Sequence, residues 1–282
     1  MTQDANAAQL DYWNAHVGHT WAECHAPLDR QIRPLGDAAL AALAPRPGER
    51  LLDIGCGCGD TTLELAAAVG PTGVVEGVDL SRPMLDIANA RPRPPGAGEI
   101  HFRQADAQID DFAPGAWDGF YSRFGVMFFD DPAAAFANLY HALKPAGRFA
   151  FVCWRPLADN AWMAEPLAAA QPHLPPRVAA DPTAPGPFAF ADPERLSTLL
   201  TSAGFQDVTL TRFDVAIGAG NLEESLALTL RVGPLGSALR EAPALKPVVA
   251  PLVRAVLARY MTPEGVRMPA SVWIAQGHRG VS

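Results

Sequence analysis

The sequence is short of basic charge and of cysteine. Lys and Arg number 22 against 30 Asp and Glu, giving a formal net charge of −8 and an isoelectric point near 5.3. That balance offers no basic footprint for DNA or RNA, so no nucleic-acid partner is expected. The four cysteines, Cys24, Cys56, Cys58 and Cys153, contain only one close pair. One pair is too few for a structural metal site, so the expectation is no metal and reduced, structural thiols. No run of about 18 apolar residues occurs, so no membrane span is expected. Residues 1–4 lack the basic start of a signal peptide, which predicts a cytoplasmic protein; for the assembly, monomer and homodimer both stay open. There is no internal repeat and no low-complexity tract.

What is present is a core. The chain has 282 residues, 49% of them hydrophobic and 18% charged, enough for one α/β domain with insertions. It is organised around Arg50-Leu51-Leu52-Asp53-Ile54-Gly55-Cys56-Gly57-Cys58-Gly59-Asp60-Thr61-Thr62. Residues 51–54 read as a buried strand. Three glycines then alternate, and Thr61 with Glu64 reads as a capping box opening a helix to about residue 69. Strand, glycine turn and helix start are the parts of a nucleotide-binding βα unit, in which glycine lets backbone N–H groups approach a ligand.

The spacing selects the ligand. Dinucleotide sites carry G-x-G-x-x-G; here the pattern is G-x-G-x-G, followed by Asp60. A free carboxylate beside the turn would repel a pyrophosphate. A second strand over 74–78 ends in Asp79, placed to accept hydrogen bonds from ribose hydroxyls. The ligand implied has a ribose and no phosphate.

Asp53-Ile-Gly-Cys-Gly-Cys-Gly59, Gly77-Val-Asp79-Leu80-Ser81 and Ala105-Asp106-Ala107 together resemble the class I S-adenosylmethionine (SAM)-dependent methyltransferases. The resemblance covers roughly residues 35–153, with looser likeness at 188–215 and in the last strand. The branch it resembles is that of the small-molecule, ubiquinone/menaquinone-biosynthesis methyltransferases. It implies a Rossmann-like seven-stranded α/β sheet with an antiparallel last strand and helices on both faces. The implied cofactor is SAM, with S-adenosylhomocysteine (SAH) as product. The cofactor-site residues implied by motif and position are Asp53, Gly55, Cys56, Gly57, Asp79, Leu80, Met84, Asp106, Ala107, Ser122 and Arg123. Asp106 would accept from the adenine amino group, and the Ala107 N–H would reach a ring nitrogen. The proline-rich tetrapeptide of adenine and cytosine N-methyltransferases is replaced by Ser122-Arg123-Phe124-Gly125, and the Pro-Cys nucleophile of cytosine C5 enzymes is missing. A small-molecule acceptor is the expectation. Two rivals are a nicotinamide-dependent oxidoreductase, disfavoured by the third glycine, and a catalytically silent SAM-binding scaffold.

Around these motifs the chain divides into an N-terminal helical lid segment, 1–44, and a methyltransferase domain, 45–282. Residues 1–8 read as a mobile tail. Residues 9–44 read as helical and crowd Tyr12, Trp13, His16, His19, Trp21 and His25 together. Tyr12, Trp13 and Trp21 are the candidate lid and substrate residues. His16, His19 and His25 are candidate bases and Arg123 a candidate anion stabiliser; no spacing singles one out. Ser81 and Asp131 should cap helices, and Phe136, Leu139, Tyr140 and Leu143 form a helical core stripe. Further strands are expected at 100–104, 117–122, 148–153, 205–213 and 271–276. Prolines should fall outside the strands. Residues 154–190, a proline-rich connection, and 216–269, two or three amphipathic helices, leave strand ends on the ligand face and are expected to cap the acceptor.

Overall fold

The computed structural model describes residues 6–176 and 181–281. Helices α1 (Ala7–Asn14), α2 (His16–Glu23) and α3 (His25–Leu43) precede β1 (Arg50–Ile54), α4 (Asp60–Val69), β2 (Val74–Asp79), α5 (Arg82–Ala90) and β3 (Glu99–Gln104). Then come β4 (Trp117–Arg123), α6 (Pro132–Ala142), β5 (Leu143–Trp154), α7 (Ala161–Ala170), α8 (Pro193–Ser202) and β6 (Gln206–Ile217). Helices α9 (Leu222–Thr229), α10 (Gly233–Glu241) and α11 (Lys246–Ala258), a short hairpin of β7 (Met261–Thr262) and β8 (Gly265–Val266), and β9 (Met268–His278) complete the chain.

Seven strands form one sheet in the order β3-β2-β1-β4-β5-β9-β6. The first five pair in parallel, and β9 runs antiparallel between β5 and β6. This is the Rossmann-like architecture expected. Strand alternation divides the core between two helical layers. Tyr121 of β4 faces α3, its hydroxyl donating to Gly36 O at 2.9 Å. Its neighbour Phe120 faces the other way and meets Phe149 and Phe205. There Phe205 also meets Tyr140 of α6.

The 9–44 region is not one helix. It breaks at Ala15 and Cys24, and its parts do different things. Leu28, Ile32, Leu35, Ala39 and Leu43 of α3 are buried at helical spacing in the main core. So α3 is a structural layer of the domain, and only α1 and α2 are appended to it. Residues 1–5 of the expected tail lie outside the described residues, whereas 6–8 cap and begin α1.

Other expectations need correction. The 154–190 connection contains α7, which holds Pro166 inside it. Leu143 opens β5 rather than closing α6. Pro145 and Pro269 lie within strands, and Pro34 and Pro251 lie within helices. Asp131 caps α6 as expected, accepting from Ala134 N at 3.0 Å. Ser81 occupies the cap position of α5, but its hydroxyl makes no capping bond. No helix among the described residues is long and apolar enough to cross a membrane.

Candidate active site

The turn after β1 uses its glycines in three ways. All have positive φ: Gly55 +69°, Gly57 +54°, Gly59 +82°. A Cβ on Gly55 would lie 2.7 Å from Gly125 Cα, and one on Gly59 would lie 2.6 Å from Phe102 Cζ. Those two glycines allow backbone and strand to pack closely. A Cβ on Gly57 would meet nothing nearer than Met84 Sδ at 3.8 Å. Gly57 therefore keeps a space open at the cleft.

Asp53 sits behind this turn rather than in its wall. Fully buried, its Oδ2 accepts from Thr61 Oγ1 at 2.7 Å and Thr62 Oγ1 at 2.6 Å. Burial raises its carboxyl to about 6 against the opposing pull of the two hydroxyls. The expected capping box is absent for the same reason. Thr61 is turned to Asp53, Gly59 takes the cap position of α4, and Glu64 pairs with Arg33 of α3. Nor is Asp60 a free carboxylate, since the Arg91 guanidinium is bonded to it. Cys56 and Cys58 are buried free thiols. Burial, with nearby carboxylates, holds both as thiols, Cys58 pushed up to about 12.

Asp79 closes the turn from the next strand. Its Oδ2 accepts from Gly57 N at 2.8 Å and its Oδ1 from Ser81 N at 2.8 Å. Burial raises it to about 6, opposed by these backbone donors. Each oxygen keeps a second lone pair for a ligand hydroxyl. Asp106, after β3, accepts from Gln108 N at 3.0 Å and from Asn6 Nδ2 at 2.9 Å.

One cleft, open to solvent, joins these groups. Its polar half is walled by Gly55, Cys56, Gly57, Asp79, Leu80, Met84, Asp106 and Ala107. Its apolar half is walled by Phe124, Phe128 and Phe129, which follow β4, and by Trp13, Trp21, Leu28 and Ile32 of the N-terminal helices. Phe124 holds a positive φ of 64° and stacks on Trp154 at 4.2 Å. Such a backbone costs free energy and persists because the packing fixes it.

Arg123 and His25 are the ionisable side chains on the apolar side. Arg123 Nη2 donates to Asp29 Oδ1 at 2.8 Å, and Asp29 also accepts from Arg33 at 2.7 Å. Burial pushes the Asp29 carboxyl up, but Arg123 and Arg33 outweigh it and hold it below its ordinary value. His25, one turn before Asp29, has Nδ1 at 3.1 Å from Ala22 O. A carbonyl only accepts, so Nδ1 carries a proton, and the lone pair of the neutral ring lies on Nε2.

Not every expected residue reaches the cleft. Ser122 is buried behind the wall, donating to Ile54 O at 2.7 Å and so tying β4 to β1. His16, His19 and Tyr12 are exposed on α1 and α2, away from the cleft. Among the described residues, no lining side chain comes from 154–190 or 216–269. The 216–269 insertion braces the N-terminal helices from outside: Arg30 donates to Ala219 O at 2.8 Å, and Arg231 pairs with Glu23. Sequence reasoning missed Asn6, Leu28, Ile32, Phe128 and Phe129. Phe128 and Phe129 had a visible signal in the aromatic run that follows the β4 tetrad.

The residues fit a ribose-bearing cofactor without phosphates: an open glycine, a buried carboxylate with free lone pairs beyond it and, among the described residues, no lysine in the cleft wall and an arginine, Arg123, that is bonded to Asp29. Residues 51–147 match the family model for a methyltransferase domain. The nocamycin O-methyltransferase of Saccharothrix syringae is 30% identical over 211 residues, 70% of this chain and 74% of that protein. The chain belongs to the SAM-dependent methyltransferases. The O-methyltransferase cnsE of Penicillium expansum is 30% identical, over 82% of this chain and 77% of that one. The YcgJ protein of Bacillus subtilis shares the fold at a TM-score of 0.58 and 16% identity, over 88% of this chain and 99% of that one. This methyltransferase uses SAM to methylate a small-molecule acceptor and releases SAH.

Proposed function

We propose that this methyltransferase acts on oxygen, methylating a hydroxyl on a small, largely apolar, ring-bearing acceptor. The observation that carries the reading is His25, whose Nδ1 bond to the Ala22 carbonyl leaves Nε2 as a proton acceptor in an aromatic-walled half-cleft. Arg123, the other ionisable group there, is a permanent cation bonded to Asp29 and cannot serve as a base; elsewhere in the cleft Asp60 is paired with Arg91 and the cysteines stay protonated.

When bound, SAM supplies a methyl group on a positively charged sulfur. Asp79 and the Gly57 turn would hold its ribose end, and Asp106 its base. Trp21, Phe124 and Phe128 confine a planar acceptor and exclude water. His25 Nε2 would take the proton that the acceptor hydroxyl gives up on methylation. Arg123 acts as a positioning residue, because its bond to Asp29 fixes the first turn of α3 against the end of β4. Helices α1 and α2 serve as the lid. The names of the two O-methyltransferase relatives support transfer to oxygen.

The test is to incubate the protein with methyl-labelled SAM and a panel of phenols, enols, amines and thiols, reading products by mass spectrometry. Label on a phenolic or enolic oxygen is expected. Label only on nitrogen, sulfur or carbon, or on none of the panel, would contradict the reading.

A further inference from the structure

The N-terminal helix brings a polar group into the cleft that neither the motifs nor the methyl chemistry require. Asn6, at the cap of α1, is only 8% exposed and lines the cleft. Its Nδ2 donates to Asp106 Oδ2 at 2.9 Å, 100 residues away in sequence. That bond fixes the orientation of the amide, because a carboxylate cannot donate to the amide oxygen. Asn6 Oδ1 is then buried with no hydrogen-bond partner. Gln9, one helical turn on, also leaves its Oε1 buried and unpartnered. Buried acceptors without donors are rare in folded proteins, and each one calls for an explanation.

The strand order says what stands there when the cofactor is bound. The glycine turn follows β1, the ribose acid Asp79 ends β2, and Asp106 follows β3; these are successive neighbours in the sheet. A ligand whose ribose is held at Asp79 and whose other end lies at the β1 turn directs its base toward β3. The base therefore arrives between Asp106 and Asn6. The group missing from that corner is a donor. The adenine 6-amino group is uncharged and carries two hydrogens, one for a carboxylate oxygen and one for an amide oxygen.

Resting on the SAM reading above, we infer that Asn6 is the second half of an adenine clamp. Asp106 and Asn6 Oδ1 grip the two hydrogens of the 6-amino group, so the N-terminal segment selects the base of the cofactor as well as covering it. A 6-oxo purine presents an oxygen to both acceptors and is rejected. The same corner could be filled by water alone, and the experiment separates the two.

The probes are SAH and its 6-oxo counterpart, S-inosylhomocysteine, titrated by calorimetry into the wild-type protein and into Asn6→Ala. Wild type should bind SAH at least about a hundredfold more tightly than the 6-oxo ligand, since two buried acceptors are left facing an oxygen. Asn6→Ala should lose about tenfold for SAH and stay within about twofold for S-inosylhomocysteine. An unchanged SAH affinity in Asn6→Ala would overturn the clamp, as would an equal loss for both ligands, which marks a merely structural contact. Failure of wild type to bind SAH at all would instead overturn the cofactor reading on which the clamp rests.

Discussion

Gly57 N donates to Asp79 Oδ2 at 2.8 Å, so the glycine turn of β1 and the acid of β2 are joined before any ligand arrives. The bond orients the carboxylate and fixes the turn together, which pre-organises the ribose site proposed above. It also separates the two cleft glycines by role. Gly57→Ala should fold, with a cost of about 1–2 kcal/mol for its left-handed backbone, but its methyl enters the cleft and should abolish SAH binding. Gly55→Ala should lower the melting temperature further, because its methyl meets the Gly125 backbone. Melting curves beside SAH titrations check both. Intact SAH binding in Gly57→Ala would show that the turn is structural only.

Binding and stability should respond to pH in opposite senses. Folded Asp79 titrates at about 6 against an ordinary 3.8. The folded form holds its proton more tightly than the unfolded chain. Its contribution to stability is therefore present below about 4 and lost as pH rises through about 6, by roughly 3 kcal/mol. Ribose hydroxyls need the carboxylate, so SAH affinity should fall as pH drops below about 6. Asp79→Asn should flatten the stability slope between pH 4 and 6 relative to wild type. An equal slope in both proteins would contradict the assignment.

Removal of α1 and α2 should weaken cofactor binding as well as turnover. Asn14 of α1 donates to Leu80 O at 2.9 Å and accepts from Arg82 N at 2.9 Å, latching the segment to the chain just past Asp79. Trp13 packs edge-on to Phe128 with ring centres 4.9 Å apart, in a small cluster with Val17, Cys58 and Met84. A chain lacking residues 1–24 keeps α3 and the main core. It should stay folded by circular dichroism yet lose more than about tenfold in SAH affinity. Unchanged affinity would mean that the segment covers the acceptor alone.

His25→Gln should leave SAH affinity within about twofold and lower kcat by roughly 10²–10⁴ on a weakly acidic phenol. The loss should shrink on a nitrophenol that is already ionised at the assay pH. That pattern separates a base from a packing residue. An equal loss on both acceptors would remove His25 from the chemistry.

Much of the polar half was legible in the sequence because local rules govern it. Gly55, Gly57, Asp79 and Asp106 each stand at the end of a strand that hydrophobic pattern marks out, and sheet topology then aligns the strand ends. The apolar half was less legible. His25 could not be told from His16 and His19, because the breaks at Ala15 and Cys24 that turn His25 inward carry no glycine or proline. Asp53 and Ser122 read as contacts from motif position. They act one layer behind the wall, a difference of depth that periodicity does not encode. The helices at 216–269 were legible as elements, but their packing outside α1–α3 depends on long-range pairs such as Arg30 with the Ala219 carbonyl.

The most direct test is a calorimetric titration of SAH into wild type and Asp79→Ala, with folding of both checked by their melting curves. Loss of the charge-assisted bonds to the ribose should cost about 2–4 kcal/mol, a loss of roughly 30- to 1,000-fold in affinity. The account predicts one SAH site per chain in wild type and that loss in Asp79→Ala with the fold intact. Equal SAH affinity in the two proteins would contradict it.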